Sequence, residues 1–490
     1  MSHLPADCIN EIFEYLDEDK IALHSCLLVN RLWCKSAVRI LWRNIWNFPY
    51  SRTYIPFAII STLISCLPDE SKDFLSKNGI NISLPITKPP LFKYASFIKI
   101  LSFSELDNII QHVLENKNFI TSLSLDYNKH LIAQEIIKMF MSQTSSLKRL
   151  EYYLNSCRVI PFNIHFACFP GARDCLKNLS ELCCNSDVYP EFFYQLSQIC
   201  RNLHSLTIEF QDFISNGLAD FISLQNNLKS LNLSSYEKDW SNITPALKKI
   251  SNTIIKLKID VLESNAPTSF ITSYTNLQEL TLMGQTPFKE LEYVIFSNLK
   301  ILKFHFSNSR DEILMKFFEN NGKNLEELNI DDIDLSLSSL IVHFCPNLKK
   351  ISSIHMDNNG CVILKLIFNG CQHLESIKVS FYDYGLKEKK MLDYYLKEKE
   401  MLEIVSKYSQ KNFYELKIYH GVPSNLQSKD LESFLMSWKN RIPFIPITLI
   451  NIRDDSLNLP LIANEEIMRV IEQYKKLGII QKFKVEVLFE

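Results

Sequence analysis

The sequence predicts an α/β chain in two parts, a short three-helix module followed by a long, curved repeat solenoid with a parallel inner sheet and outer helices. Three observations carry this. A Leu-x-x-Leu-x-Leu pattern returns from near residue 98 almost to the C-terminus. The first forty-five residues lack that pattern and show three short helical stripes instead. At 490 residues the chain is too long for one compact core, whereas a repeat array grows by adding repeats.

The N-terminal part is "LPADCINEIFEYLDEDKIALHSCLLVNRLWCKSAVRILWRN". Its first helix carries Cys8, Ile9, Ile12, Phe13 and Leu16 on one stripe, entered through Pro5. Asp17 or Asp19 starts the second, with Ile21, Leu27, Leu28 and Val29. The third carries Trp33, Ala37, Leu41 and Trp42. Residues 1–19 hold six acids and no Lys or Arg, while 31–43 hold four basic residues and no acid. So many large apolar side chains in so short a segment cannot all be buried internally, and some must meet a partner or the rest of the chain.

Residues 47–95 read as a joint. A buried amphipathic helix is expected over 54–67, which is too short and too polar to span a bilayer. The stretch "LPITKPPLF" (84–92) is expected to stiffen the connection through Pro85, Pro89 and Pro90.

Residues 96–490 are the array with a C-terminal cap. The second apolar position of each repeat falls at Leu101, Leu123, Leu150, Leu182, Leu206, Leu231, Leu257, Leu280, Leu302, Leu328, Ile351, Ile377 and Leu416, a period near 25. That period lies in the range of leucine-rich repeats. Alternation around the markers (Leu231-Asn232-Leu233, Leu280-Thr281-Leu282) predicts strands. Eight repeats place Asn before the first apolar residue, as at Asn202, Asn227, Asn324 and Asn347, where the chain turns into a strand. Stretches such as "DEILMKFFENNG" (311–322) predict the outer helices.

One repeat cannot fold alone. Ordering its residues costs about 1–2 kcal/mol each, and each buried Leu-sized side chain returns only about 1.5–3 kcal/mol. Stability must come from stacking, and strands about 4.8 Å apart would give 13 or 14 repeats an inner edge of roughly 60 Å. The gap of 39 before Leu416 contains a near-duplication, "LKEKKMLDYY" then "LKEKEMLEIV", which reads as a solvated helix projecting from the array. At the end, Asn464 caps a helix with Glu465 and Glu466 in its first turn and Gly478 at its close, and "KFKVEVLF" (482–489) reads as a last strand.

The array resembles the cysteine-containing leucine-rich repeats of F-box proteins, with "CRNLHSLTI", "CPNLKKI" and "CQHLESIKV" as the best matches. Downstream the family's Asn or Cys is replaced by Gln211, Tyr236, Gln285, Ser307 and Tyr382, so no regular ladder is expected there. Residues 1–46 resemble an F-box: Leu4-Pro5, Ile12-Phe13 with Leu16, Val29 followed by Trp33, and Leu41-Trp42, with Asn30 where the family often has Cys. The resemblance implies docking to the Skp adaptor of cullin–RING ubiquitin ligases through Leu4, Pro5, Ile9, Ile12, Leu16, Val29 and Trp33. It also implies that the solenoid binds a target protein. The alternative is an interaction scaffold not linked to ubiquitylation.

Nothing in the chain reads as catalytic. Its ten glycines lie too far apart for a phosphate-binding loop or a nucleophile elbow. No histidine pair has metalloprotease spacing, and Cys157, His165, Cys168, Cys175, Cys183 and Cys184 lack finger-type spacing, so no metal and no cofactor is expected. The 13 cysteines without Cys-x-x-Cys read as reduced thiols of a cytoplasmic and/or nuclear protein. The acidic N-terminus does not read as a signal peptide. A net charge of −2 argues for no nucleic-acid and no membrane partner.

Overall fold

In a computed structural model the described residues are 5–17, 19–46, 54–80, 90–115, 122–153, 164–236, 239–262, 268–284, 289–305, 311–331, 333–381, 391–421, 424, 426–454 and 465–488. The chain divides into two compact units, Met1–Thr253 and Ile254–Glu490.

The first unit opens with α1 (Ala6–Glu14), α2 (Lys20–Cys26), α3 (Arg31–Leu41), α4 (Tyr54–Cys66) and α5 (Asp69–Lys77). Five parallel strands follow: β1 (Ile100–Ser102), β2 (Arg149–Tyr152), β3 (Glu181–Asn185), β4 (Ser205–Phe210) and β5 (Ser230–Tyr236). The second unit adds β6 (Lys256–Leu262), β7 (Glu279–Gly284), β8 (Ile301–His305), β9 (Glu327–Ile330), β10 (Lys350–His355), β11 (Ser376–Phe381), β12 (Glu415–His420), β13 (Ile447–Asp454) and β14 (Ile480–Leu488). These too run parallel in chain order. Among the described residues no helix is long and apolar enough to cross a membrane.

Register confirms the markers. Leu101, Leu150, Leu182, Leu206 and Leu231 stand side by side in the first unit. In the second, Leu257, Leu280, Leu302, Leu328, Ile351, Ile377 and Leu416 do the same. All of them are buried, because alternation turns every marker to one face of the sheet. The outer layer varies from repeat to repeat. The gaps after Leu257 and Leu280, of 23 and 22 residues, close with the 3-10 turns Ser269–Ser273 and Lys289–Glu292. The 23-residue gap after Leu328 holds the α-helix Leu335–Phe344, and longer gaps hold α-helices such as Pro190–Ile199 and Gly360–Gly370.

A single backbone feature repeats at the strand entries. At most strand entries the carbonyl two residues before the marker accepts the N–H groups of two consecutive residues in the next repeat. Lys99 O takes Lys148 and Arg149 (2.8 and 3.0 Å), and Lys300 O takes Glu326 and Glu327 (2.8 and 3.0 Å). Just upstream, a polar side chain closes the helix-to-strand turn. Cys200 Sγ donates to Leu176 O at 3.3 Å. Where Cys is missing, Gln225 takes its place, and where Gly322 stands there, the preceding Asn321 closes the turn with more bonds: Asn321 Oδ1 accepts Phe296 N at 2.7 Å while Nδ2 donates to Val294 O and Phe317 O. The Asn residues at the strand entries bridge repeats, with Asn227 Nδ2 on Asn202 Oδ1 (3.0 Å) and Asn347 Nδ2 on Lys323 O (2.9 Å).

Three expectations need correction. Leu123 lies not in a strand but in the helix Ser122–Gln143, so β1 and β2 are separated by a long repeat with two helices. The second copy of the duplicated segment does not project: in the helix Met391–Tyr408 it buries Met401, Leu402, Ile404 and Val405 as the ordinary outer layer of its repeat, while residues 386–390 of the first copy lie outside the described residues. Strand β13 extends the array beyond the last marker, placing Leu449 beside Leu416. The C-terminal helix Glu465–Lys476, Gly478 at φ +72° and the final strand stand as expected, while Asn464 lies outside the described residues.

Replacing Asn321 by Ala leaves the Phe296 N–H and the Val294 carbonyl buried without a partner. The expected loss is about 2–4 kcal/mol of stability, read as a lowered urea midpoint of the purified chain.

Candidate partner-binding surface

The three-helix module is built locally. Asp19 caps α2 by accepting Ala22 N at 2.9 Å, and Asn30 caps α3 by accepting Trp33 N at 2.9 Å. Asn30 therefore has a structural use at the position where the resemblance departs from its family. The core is Ile9, Phe13, Leu23, Cys26, Ala37 and Ile40, with Leu16, Leu27, Trp33 and Leu41 packed against it. Trp33 meets Phe13 edge-on at 5.3 Å. Ser36 Oγ donates to Asn10 Oδ1 at 2.7 Å, tying α3 to α1.

The segregated charge closes the module. Arg43 forms a bidentate pair with Glu14, one arm at 2.6 Å. Hydrogen bonding from the Arg43 guanidinium holds the Glu14 carboxyl below its ordinary value of 4.5, against the opposing pull of burial. The same residue joins the module to the array. Its carbonyl accepts Lys99 N and Ile100 N at 2.9 and 3.2 Å, which is the shared-acceptor pattern of the repeats. Ile45, two residues on and buried, falls where a marker would stand. Trp46 Nε1 donates to Ile100 O at 2.7 Å, and Trp42 packs on Tyr94 at 4.4 Å. Residues 43–46 thus act as a rudimentary first rung. Helix α4 buries Ile59, Ile60, Leu63 and Ile64, and Ser71 of α5 donates to Glu135 at 2.5 Å. Of the prolines expected to stiffen the joint, Pro85 and Pro89 lie outside the described residues.

The sequence-derived partner residues sort into three groups. Leu4 lies outside the described residues. Pro5, exposed at the start of α1, Ile12, 50% exposed, and Val29 are open to solvent. Ile9 is corrected: at 5% exposure it is a core residue, and Leu16 and Trp33 are partly buried against that core. The reading of α2 also changes, since Leu23 and Cys26 face inward while Ile21 is 82% and Leu28 90% exposed. Tyr15 and Leu32 are exposed as well and were missed by sequence reasoning. Helical period identifies a stripe in so short a helix but not which side the neighbouring helices cover.

A second polar cluster sits in the second unit. Glu398, buried, meets His420 Nε2 at 3.2 Å, and Asn451 Oδ1 lies 3.1 Å from the other ring nitrogen. Ser424 Oγ donates to the carboxylate at 2.9 Å, not to the imidazole, so the trio lacks the nucleophile–base hydrogen bond that acyl transfer needs. The sulfur-rich region is dispersed: Cys175 and Cys184 are buried in the array, Cys183 faces the opposite side of the sheet, and Cys157 lies outside the described residues. Among the described residues no group of three or more His, Cys, Asp or Glu is placed to hold a metal ion.

The Glu14–Arg43 pair sets a pH dependence. Glu14 is depressed in the folded state, so its contribution is complete above pH 4.5 and is lost as pH falls through the lower folded value. Solvent screening limits it to about 1 kcal/mol or less. Glu14→Gln should lower the urea midpoint at neutral pH and converge with the native chain only once pH has fallen past the depressed folded value of Glu14.

No family model and no curated protein matches the chain. Among solved structures, a chain of the crystal structure of the mouse RP105/MD-1 complex matches with 15% identity and a TM-score of 0.32. That match covers 71% of this chain and 60% of the other. A similarity of this size adds nothing to what the strands and helices themselves show.

Proposed function

We propose that this chain is a substrate-recognition adaptor of an SCF-type ubiquitin ligase. Its N-terminal module would act as an F-box on a Skp-family adaptor bound to a cullin, and its leucine-rich repeats would hold the target protein. The observation that carries the reading is the pairing of two properties in residues 5–46. The module leaves Ile12, Tyr15, Ile21, Leu28, Val29 and Leu32 in solvent while completing a core of its own beneath them. Isolated surface apolar residues are ordinary, but this density in so short a segment marks a surface that a partner covers.

The joint supports the same reading. The Arg43 carbonyl and Trp46 seat the module on the first strand through the hydrogen bonds that join repeats to one another. Proximity catalysis needs such a joint, because a fixed spacing between ligase and target raises the effective concentration of the reacting groups. On this reading the chain supplies no catalytic residue and no cofactor, and works in the cytoplasm or nucleus.

The test is co-purification of the full chain with a Skp-family adaptor and a cullin, beside Ile12→Asp/Leu28→Asp. Both positions are exposed and outside the core, so the variant is expected to fold, with an unchanged urea midpoint as the check. Capture by the native chain and its loss in the variant, by about tenfold or more, is the expected result. A folded native chain that captures no adaptor overturns the ligase reading and leaves a repeat scaffold.

A further inference from the structure

We propose that the sheet face opposite the markers on β10–β14 binds an acidic segment of a partner protein, one carrying clustered carboxylates or phosphates. On the ligase reading, this names the class of substrate for the array.

The strand register assembles the site from residues far apart in sequence. Lys378 stands beside Lys417, Lys417 beside Ile450, and Ile450 beside Lys484. One row lower, Glu415 stands beside Thr448 and Thr448 beside Lys482, and Lys350 begins the same row on β10. One row higher, Tyr419, Ile452 and Glu486 stand side by side. These side chains point away from the markers by alternation. The block holds five lysines and two glutamates in a chain whose net charge is −2.

Both glutamates are already engaged. Glu415 pairs with Lys417 at 3.3 Å and accepts Ser376 Oγ at 2.7 Å, and Glu486 pairs with Lys484 at 2.8 Å. Asp331, on the β9 side, is hydrogen-bonded to His305 at 2.9 Å. Among the described residues, Lys350, Lys378 and Lys482 form no ion pair. At the centre Tyr419, Ile450 and Ile452 make a compact apolar floor, and the Lys378 ammonium lies 5.7 Å from the Tyr419 ring centre.

That floor matters physically. Burial first, and the Lys417 charge second, hold the Lys378 ammonium below its ordinary pKa. An ammonium short of water, whose nearby carboxylates Asp331 and Glu486 are already bonded to other groups, gains most from an anion brought by a ligand. The lysines follow the strand stacking direction at roughly 4.8 Å per strand, so an extended chain with repeated negative groups meets several at once, whereas a single free anion meets one or two.

The test uses the full chain without any adaptor, so its result is independent of the ligase reading. The probes are a fluorescein-labelled glutamate-rich peptide, the same peptide with phosphoserine in place of the glutamates, and a single-stranded RNA oligomer. Binding of either peptide, weakened by added salt, is expected to fall about tenfold in Lys378→Met/Lys417→Met. That variant keeps the apolar stems over the floor, and an unchanged urea midpoint checks its fold. Lys258→Met, on β6 of the same face, should leave binding unchanged. The better of the two peptides tells carboxylate from phosphate recognition. Failure of the native chain to bind either peptide, equal binding by the double variant, or tighter binding of RNA than of both peptides overturns the proposal.

Discussion

The rungs of this array rest mostly on one carbonyl per repeat serving two N–H groups of the next. The acceptor lies two residues before the marker, from Lys99 to His204 in the first unit and from Ile255 to Glu375 in the second. A carbonyl has two lone pairs, so sharing costs it little, whereas an unmet N–H at a buried strand entry costs about 1–3 kcal/mol. The rung therefore fixes where each strand begins, whatever happens between strands. Loops and helices vary around it, including a gap of 49 residues between Leu101 and Leu150, and the markers still come into line.

The same rung explains why the N-terminal module belongs with the array rather than hanging from it. Arg43 has two roles through different atoms. Its guanidinium closes α1 onto the end of α3 through Glu14, and its carbonyl presents the acceptor that β1 requires. A strand at the end of a sheet otherwise leaves donors open to solvent and to stray pairing. Here residues 43–46 cover that edge, with Ile45 filling the marker place and Trp46 reaching Ile100. Stiffness was expected from prolines in a loop; among the described residues it comes from backbone hydrogen bonds and an indole.

Much of the array was legible in the sequence because the marker must be apolar at every repeat, and that constraint leaves a periodic trace. The misses have physical causes. Leu123 and Leu125 alternate like a strand, but so short a run looks the same at the first turn of a helix, and the helix here continues to Gln143. Strand β13 lacks the Asn-Leu entry: at "ITLINI" the Tyr414 carbonyl takes Thr448 N alone, and Ile447 N bonds Ile479 O instead. The turn position that Cys occupies at Cys200, Cys345 and Cys371 passes to Gln225, and where Gly322 holds it the neighbouring Asn321 supplies the bonds, because the fold asks only for a polar side chain of suitable reach. In the module the helices were readable, but the single stripe of α1 divides, with Ile9 and Phe13 buried and Ile12 exposed, and α2 turns Leu23 inward and Ile21 outward. The core is chosen by the packing of three helices together, which no single stripe records.

The two faces of the sheet divide the work. One face is committed: every marker must be Leu or Ile, and a change there is felt by both neighbouring repeats. The other is free of that demand, and its residues are charged, polar or apolar from one repeat to the next. Directly after the aligned apolar positions stand a lysine at Lys303 and Lys378, an amide at Asn329 and an aliphatic side chain at Ile450. A chain built this way can alter what it holds by changing residues whose only structural duty is to be tolerated. Register then turns substitutions far apart in sequence into neighbours about 4.8 Å apart. Lys378 and Lys417, separated by the longest gap between adjacent markers of the second unit, are such a pair.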